Sequence, residues 1–150
     1  MDYLDKAITL SIDNVIDNNG GPFGAVIVSE NNDIISVGQN EVVKNKDPTC
    51  HAEVTAIRNA CKKLGTPFLE KCKIYTSCEP CPMCYGAIKW AKIDEIYYCN
   101  TRNEAKNIGF SDEEIYNNII NNKQNMVKLD NPRGIIAFNK WTESNNKTMY

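Results

Sequence analysis

Histidine is almost missing from this 150-residue chain: it has one, His51. Long apolar runs are missing as well. The longest, GAVIV (24–28) and GIIAF (134–138), fall far short of the roughly 20 residues that cross a bilayer. MDYLDKAITL has no basic stretch ahead of an apolar core, so neither a membrane span nor a secretory leader is expected. Basic runs are absent too. Seventeen Lys and Arg against nineteen Asp and Glu give a net charge of -2, without the positive footprint that nucleic-acid binding requires. These absences leave a soluble, cytoplasmic protein that acts on a small, weakly charged molecule, with neither nucleic acid nor membrane as partner.

Cysteine, by contrast, is plentiful. Seven of them, an odd number in a chain with no leader, read as reduced thiols, some on a metal, and not as a disulfide framework. The length and a hydrophobic fraction of 42% fit a single domain over residues 1–150 that buries about two-thirds of its unfolded surface. Asparagine-rich stretches such as NNIINNKQN (117–125) read as solvated polar surface.

Leu4, Ala7, Ile8, Ser11, Ile12 and Val15 recur at helical spacing and stop at DNNGG, which predicts a first helix. GAVIVSE and DIISVG, separated by NN, predict a β-hairpin. HAEVTAIRNACKKLG predicts a helix capped by Asp47 or Thr49 and stopped by Gly65. CKIYTS then reads as a strand, EPCPMCYGAIKWAKI as a helix whose prolines suit a first turn, and EIYYCN as a fourth strand. That alternation is βαβ wiring, with parallel pairing of the later strands and helices covering the faces. DEEIYNNII and IIAFNKWTES read as helices, and NMVKL between them as a fifth strand.

Cys81 and Cys84 lie three apart at the start of a predicted helix, on one face and where a thiol's pKa falls. His51 opens the preceding helix. One His and two Cys make three ligands, the count of a catalytic zinc site with its fourth position left for water. Cys78 is the competing fourth ligand, and with it the site would be closed and structural. Glu53, two residues after His51, is placed to serve as a base beside the metal, or simply as a carboxylate favoured at a helix N-terminus.

His51-Ala52-Glu53 followed by Pro80-Cys81-Pro82-Met83-Cys84 is the H-x-E, P-C-x-x-C signature of the zinc nucleobase deaminases. Over most of its length the chain resembles the bacterial guanine deaminases of the cytidine-deaminase-like fold. The resemblance is carried by GGPFGAVIV, GQN, DPTCHAEVTAIR, YTSCEPCPMCYGAI and GFSDEEIY. It implies a three-layer α/β/α fold with a central five-stranded mixed sheet and helices on both faces. It also implies one zinc per chain on His51, Cys81 and Cys84, Glu53 as catalytic proton shuttle, and a homodimer whose C-terminal segments are exchanged.

For the substrate, the resemblance implies that Asn40 hydrogen-bonds a purine and that Asp112 meets its amino group, with Glu113 or Glu114 as alternatives. Phe23, Ala52 and Tyr150 are further candidate contacts. Guanine would give xanthine and ammonia, in purine catabolism or salvage. The alternatives are a tRNA adenosine deaminase, a deaminase of guanosine, cytosine or another small aminated ring, and a zinc-stabilised binding module. Cys50 and the loosely matching stretch after Leu129 depart from the family pattern.

Overall fold

The structure, a computed structural model, describes residues 2–123 and 126–150. It opens with α1 (Tyr3–Ile16), which begins where the Asp2 carboxylate accepts the Leu4 and Asp5 N–H groups at 3.0 and 3.1 Å. Its buried stripe is Ala7, Ser11 and Asn14. Ile12 and Val15 belong to the predicted stripe but lie half exposed, because the helix seats its small residues against the sheet.

Strands β1 (Gly24–Val28) and β2 (Ile34–Gln39) form the expected hairpin, Val26 opposite Val37, and β1 is buried along its whole length. A short α2 (Val42–Asn45) leads to α3 (Ala52–Leu64), and β3 (Lys73–Cys78), α4 (Pro82–Trp90) and β4 (Glu95–Asn100) follow. β3 runs antiparallel to β1 and parallel to β4, so the sheet is mixed, in the order β2-β1-β3-β4. The parallel pair comes from the β3-α4-β4 crossover that the sequence predicts.

One sheet face carries α1, through Ala7 against Val26 and Val28. The other carries α3 and α4, whose Ala52, Ala56, Ala60 and Ile88 pack with Ala25, Ile27 and Ile74. Close approach of α3 depends on Gly38: a Cβ there would lie 2.2 Å from the Ala52 carbonyl oxygen and 2.5 Å from the Ala56 nitrogen. Helices α5 (Arg102–Asn107), α6 (Glu113–Ile120) and α7 (Gly134–Glu143) complete the order.

Three expectations are corrected. Four strands are present among the described residues, not five: Asn125 lies outside them, and 126–129 of NMVKL form no strand, because a short apolar run does not by itself supply strand pairing. The N-cap of α3 is His51 itself, with no side-chain cap bond, while Asp47 binds the Thr49 N–H and hydroxyl at 2.8 and 2.7 Å in the loop before it. The helix predicted over 79–93 is shorter, since Cys81 is its N-cap and Ala91 its C-cap. Among the described residues no helix is long and apolar enough to cross a membrane. None after Ile93 is buried.

Candidate active site

Two helix starts face each other across the end of β3. His51 caps α3 and Cys81 caps α4, both with extended backbone, and Cys84 follows one turn into α4. The ligand atoms of His51, Cys81 and Cys84 all lie within 4.8 Å of one another. His51 presents Nδ1, 3.6 Å from the Cys81 sulfur and 3.5 Å from that of Cys84. Zinc bonds of about 2.3 Å to sulfur and 2.0–2.1 Å to nitrogen, at tetrahedral angles, separate sulfur and nitrogen by about 3.6 Å, so the three side chains fit the ion.

The thiols are already polarised. The Cys81 thiol is pulled down to about 4, first by its hydrogen bond from Cys84 and then by His51. Cys84 is held up by that same interaction and by burial, and a metal on both sulfurs would displace its proton. The His51 imidazole is raised, chiefly by Cys81.

Cys78 stands outside this group. Its thiol faces the Thr101 carbonyl at 3.7 Å and is not among the ligand atoms that cluster within 4.8 Å of one another, while burial, with Glu53 and Glu79 nearby, pushes it up to about 11.

Glu53, the second residue of α3, is 6% exposed. Its Oε1 accepts from the Thr76 hydroxyl and its Oε2 from the Cys84 thiol, both at 3.4 Å. Burial raises its carboxyl above the ordinary glutamate range, which suits a group that takes up and gives back a proton near neutral pH. It touches the ligand shell and is not part of it.

A cavity of about 600 Å³ opens onto these groups. His51, Glu53, Asn40, Phe23 and Asp112 line it together. Asn40 is buried, and its Oδ1 accepts the Val42 N–H at 3.4 Å, while its amide NH2 has no hydrogen-bond partner among the described residues. Phe23 serves both cavity and core, meeting Phe110 edge-on with centroids 5.1 Å apart. Asp112 is the N-cap of α6, and its Oδ2 is buried with no hydrogen-bond partner. Glu113 points elsewhere, to Lys106 at 2.6 Å, and neither it nor Glu114 lines the cavity.

Two candidates are not brought to this cavity. The Ala52 side chain lies in the core beneath the sheet, because the first turn of α3 turns that position inward. Tyr150 sits beside Trp90, centroids 6.0 Å apart, at a separate cleft of about 270 Å³ that also includes Trp141. Sequence reasoning missed Glu79, Arg102 and Phe110 on the cavity wall. Glu79 had a signal, its place between Cys78 and Cys81; Arg102 had none.

The sequence profile of the cytidine and deoxycytidylate deaminase zinc-binding region matches residues 1–100. The guanine deaminase of Bacillus subtilis is 52% identical over 117 residues, 78% of this chain and 74% of that protein. The X-ray structure of guanine deaminase from Bacillus subtilis superposes with a TM-score of 0.93 at 43% identity, covering 99% of this chain and 96% of the other. The tRNA-specific adenosine deaminase of Aquifex aeolicus is 46% identical over 77 residues, 51% of this chain and 50% of that protein.

Proposed function

The chain belongs to the family of zinc-binding cytidine and deoxycytidylate deaminases, and on that premise we propose that it hydrolyses guanine to xanthine and ammonia. Zinc is its cofactor, one ion per chain, held by His51, Cys81 and Cys84. The observation that carries the reading is the pairing of that triad with the buried Glu53 carboxyl at a cavity whose wall bears, among the described residues, a partnerless carboxylate oxygen.

Zinc on the triad supplies a nucleophile at neutral pH by acidifying water. Glu53, within reach of the Thr76 hydroxyl, takes one proton of the attacking water onto its carboxylate and gives it to the ring nitrogen. It then takes the second from the hydroxyl added to the ring carbon and gives it to the departing amine, which leaves as ammonia. Asn40 orients the ring through its free NH2, and Asp112 accepts from an N–H of the substrate. Phe23 offers a flat apolar face. Burial of these groups keeps bulk water from competing for the same hydrogen bonds.

A net charge of -2 supports a small base as substrate over an RNA, whose binding calls for a basic surface. The seven unpaired cysteines fit a reducing cytoplasm. The partner is a second copy of the chain. Ile136, Phe138, Trp141 and Val127 of the C-terminal arm are 44–84% exposed, an apolar surface that a lone soluble chain seldom presents and that exchange of arms in a homodimer would cover.

The test is ammonia release by the zinc-loaded protein from guanine, guanosine, adenine, cytosine and cytidine, with metal content measured on the same sample. Release from guanine is expected. Zinc at one per chain with guanine inert would overturn the substrate and leave the family standing.

A further inference from the structure

The wall that carries Asp112 is weakly packed, for α6 has no buried residue. Something other than apolar burial must hold its carboxylate toward the cavity. The exposed Lys106–Glu113 pair is too solvated to supply that restraint.

Arg102, the first residue of α5, is in reach. Its guanidinium carbon lies 4.1 Å from the centre of the Tyr116 ring on α6, and its Nε lies 3.8 Å from Asp112 Oδ1. Its backbone N–H donates to Glu79 Oε2 at 3.1 Å, two residues before the ligand Cys81, and the Glu79 N–H donates to the Asn100 carbonyl at 2.8 Å. Arg102 therefore stands where the metal-ligand loop meets α6. The Arg102 and Asp112 side chains are 30% and 18% exposed, so their attraction is less screened than that of the surface pairs. A planar guanidinium can stack on the ring and face the carboxylate at once, which an ammonium cannot.

We propose that Arg102 is a positioning residue: by facing Asp112 Oδ1 and stacking on Tyr116 it fixes the carboxylate whose Oδ2 receives the substrate. This rests on the reading of Asp112 as a substrate contact. Arg102 touches no reacting atom, so its loss should show in KM and not in kcat.

Steady-state kinetics on guanine, with zinc content determined for each zinc-loaded variant, test it. Arg102→Gln is expected to raise KM about tenfold, the scale of one lost charge-assisted hydrogen bond. Its kcat stays within about threefold of wild type and its zinc at one per chain. Arg102→Lys falls between the two, and Tyr116→Leu shifts KM in the same direction. In an Asp112→Asn background, Arg102→Gln adds less than about twofold, because the two residues act as one unit.

A full Arg102→Gln effect in that background overturns the proposal, as does a loss confined to kcat. A raised KM in Asp112→Asn with a normal one in Arg102→Gln removes Arg102 alone. A normal KM in Asp112→Asn removes the Asp112 reading and Arg102 with it. A wild-type protein inert toward guanine removes the substrate reading first.

Discussion

The chain up to Ile93 and the chain after it are built on different principles. The first part buries two apolar layers on either face of the sheet and holds the triad and Glu53 at helix starts that this packing fixes. The second has no buried residue among those described, yet it contributes Arg102, Phe110 and Asp112 to the cavity wall. On the proposed reading, the reaction chemistry sits in the packed block with Asn40 and Phe23, while Asp112 brings part of the substrate recognition from an arm held by polar ties. A metal site needs its ligands held to a few tenths of an ångström, which close packing supplies. A recognition wall tolerates looser support, and it can change without disturbing the chemistry.

The contrast is sharpest in stability. Ile74→Ala, in the fully buried centre of β3, is expected to cost about 2–5 kcal/mol in urea unfolding. Phe138→Ala, on an arm residue 71% exposed, would cost no more than about 0.5 kcal/mol if the arm stayed in solvent. If, as proposed, a second copy covers this face, a larger loss that depends on protein concentration is expected instead. Sedimentation of the same variant should show monomer gaining on dimer; an unchanged dimer and an unchanged midpoint would leave the arm without the proposed partner.

Glu53→Gln should come next. It keeps size and burial but cannot carry the proton, so turnover is expected to fall at least about 100-fold while zinc content stays at one per chain. A near-normal rate would take Glu53 out of the mechanism. Asn40→Ala, in the packed block but facing the cavity, is expected to raise KM for guanine by about tenfold or less, the scale of a single buried hydrogen bond. If KM were unchanged, recognition would belong to the arm alone, and the two regions would divide chemistry from recognition completely.

The same division governs how much could be read from the sequence. His51, Glu53, Cys81 and Cys84 are visible because their chemistry is encoded in short spacings at two helix starts, and the hairpin and the βαβ unit are visible because their periodicities are strong. Helix α5 carries a local signal in the sequence: Thr101 and Glu104 form a capping box, with the Glu104 N–H on Thr101 Oγ1 and the Thr101 N–H on Glu104 Oε2. Arg102 has none, because what brings it to the cavity is the path of the chain after β4, whereas Phe110 lies in GFSDEEIY, a stretch that carries the family resemblance. Choosing Asp112 over its neighbours needed the position of the α6 N-cap. Residues 126–129 of NMVKL form no strand because an apolar pattern alone does not supply pairing.

The smallest effect is expected where the loop meets the block. Asp47 receives the Thr49 N–H and hydroxyl through Oδ1 and the Cys50 thiol through Oδ2, 3.2 Å away, with Arg58 Nη1 at 3.6 Å. These bonds, those from Thr49 first, hold its carboxyl at about 2, well below its ordinary 3.8. A lowered pKa means that the folded chain prefers the ionised form, so the stabilisation is fully present above about 4 and is lost as the pH falls toward 2. Asp47→Asn should therefore melt slightly below wild type at pH 7, and the gap should narrow as thermal melts are repeated downward from pH 4. The side chain is solvent-facing, so the gap is small and shrinks further in salt. A gap that stayed constant through the acid range would mean that Asp47 acts through shape alone. The loop leading to His51 would then be held by packing, like the rest of the block it joins.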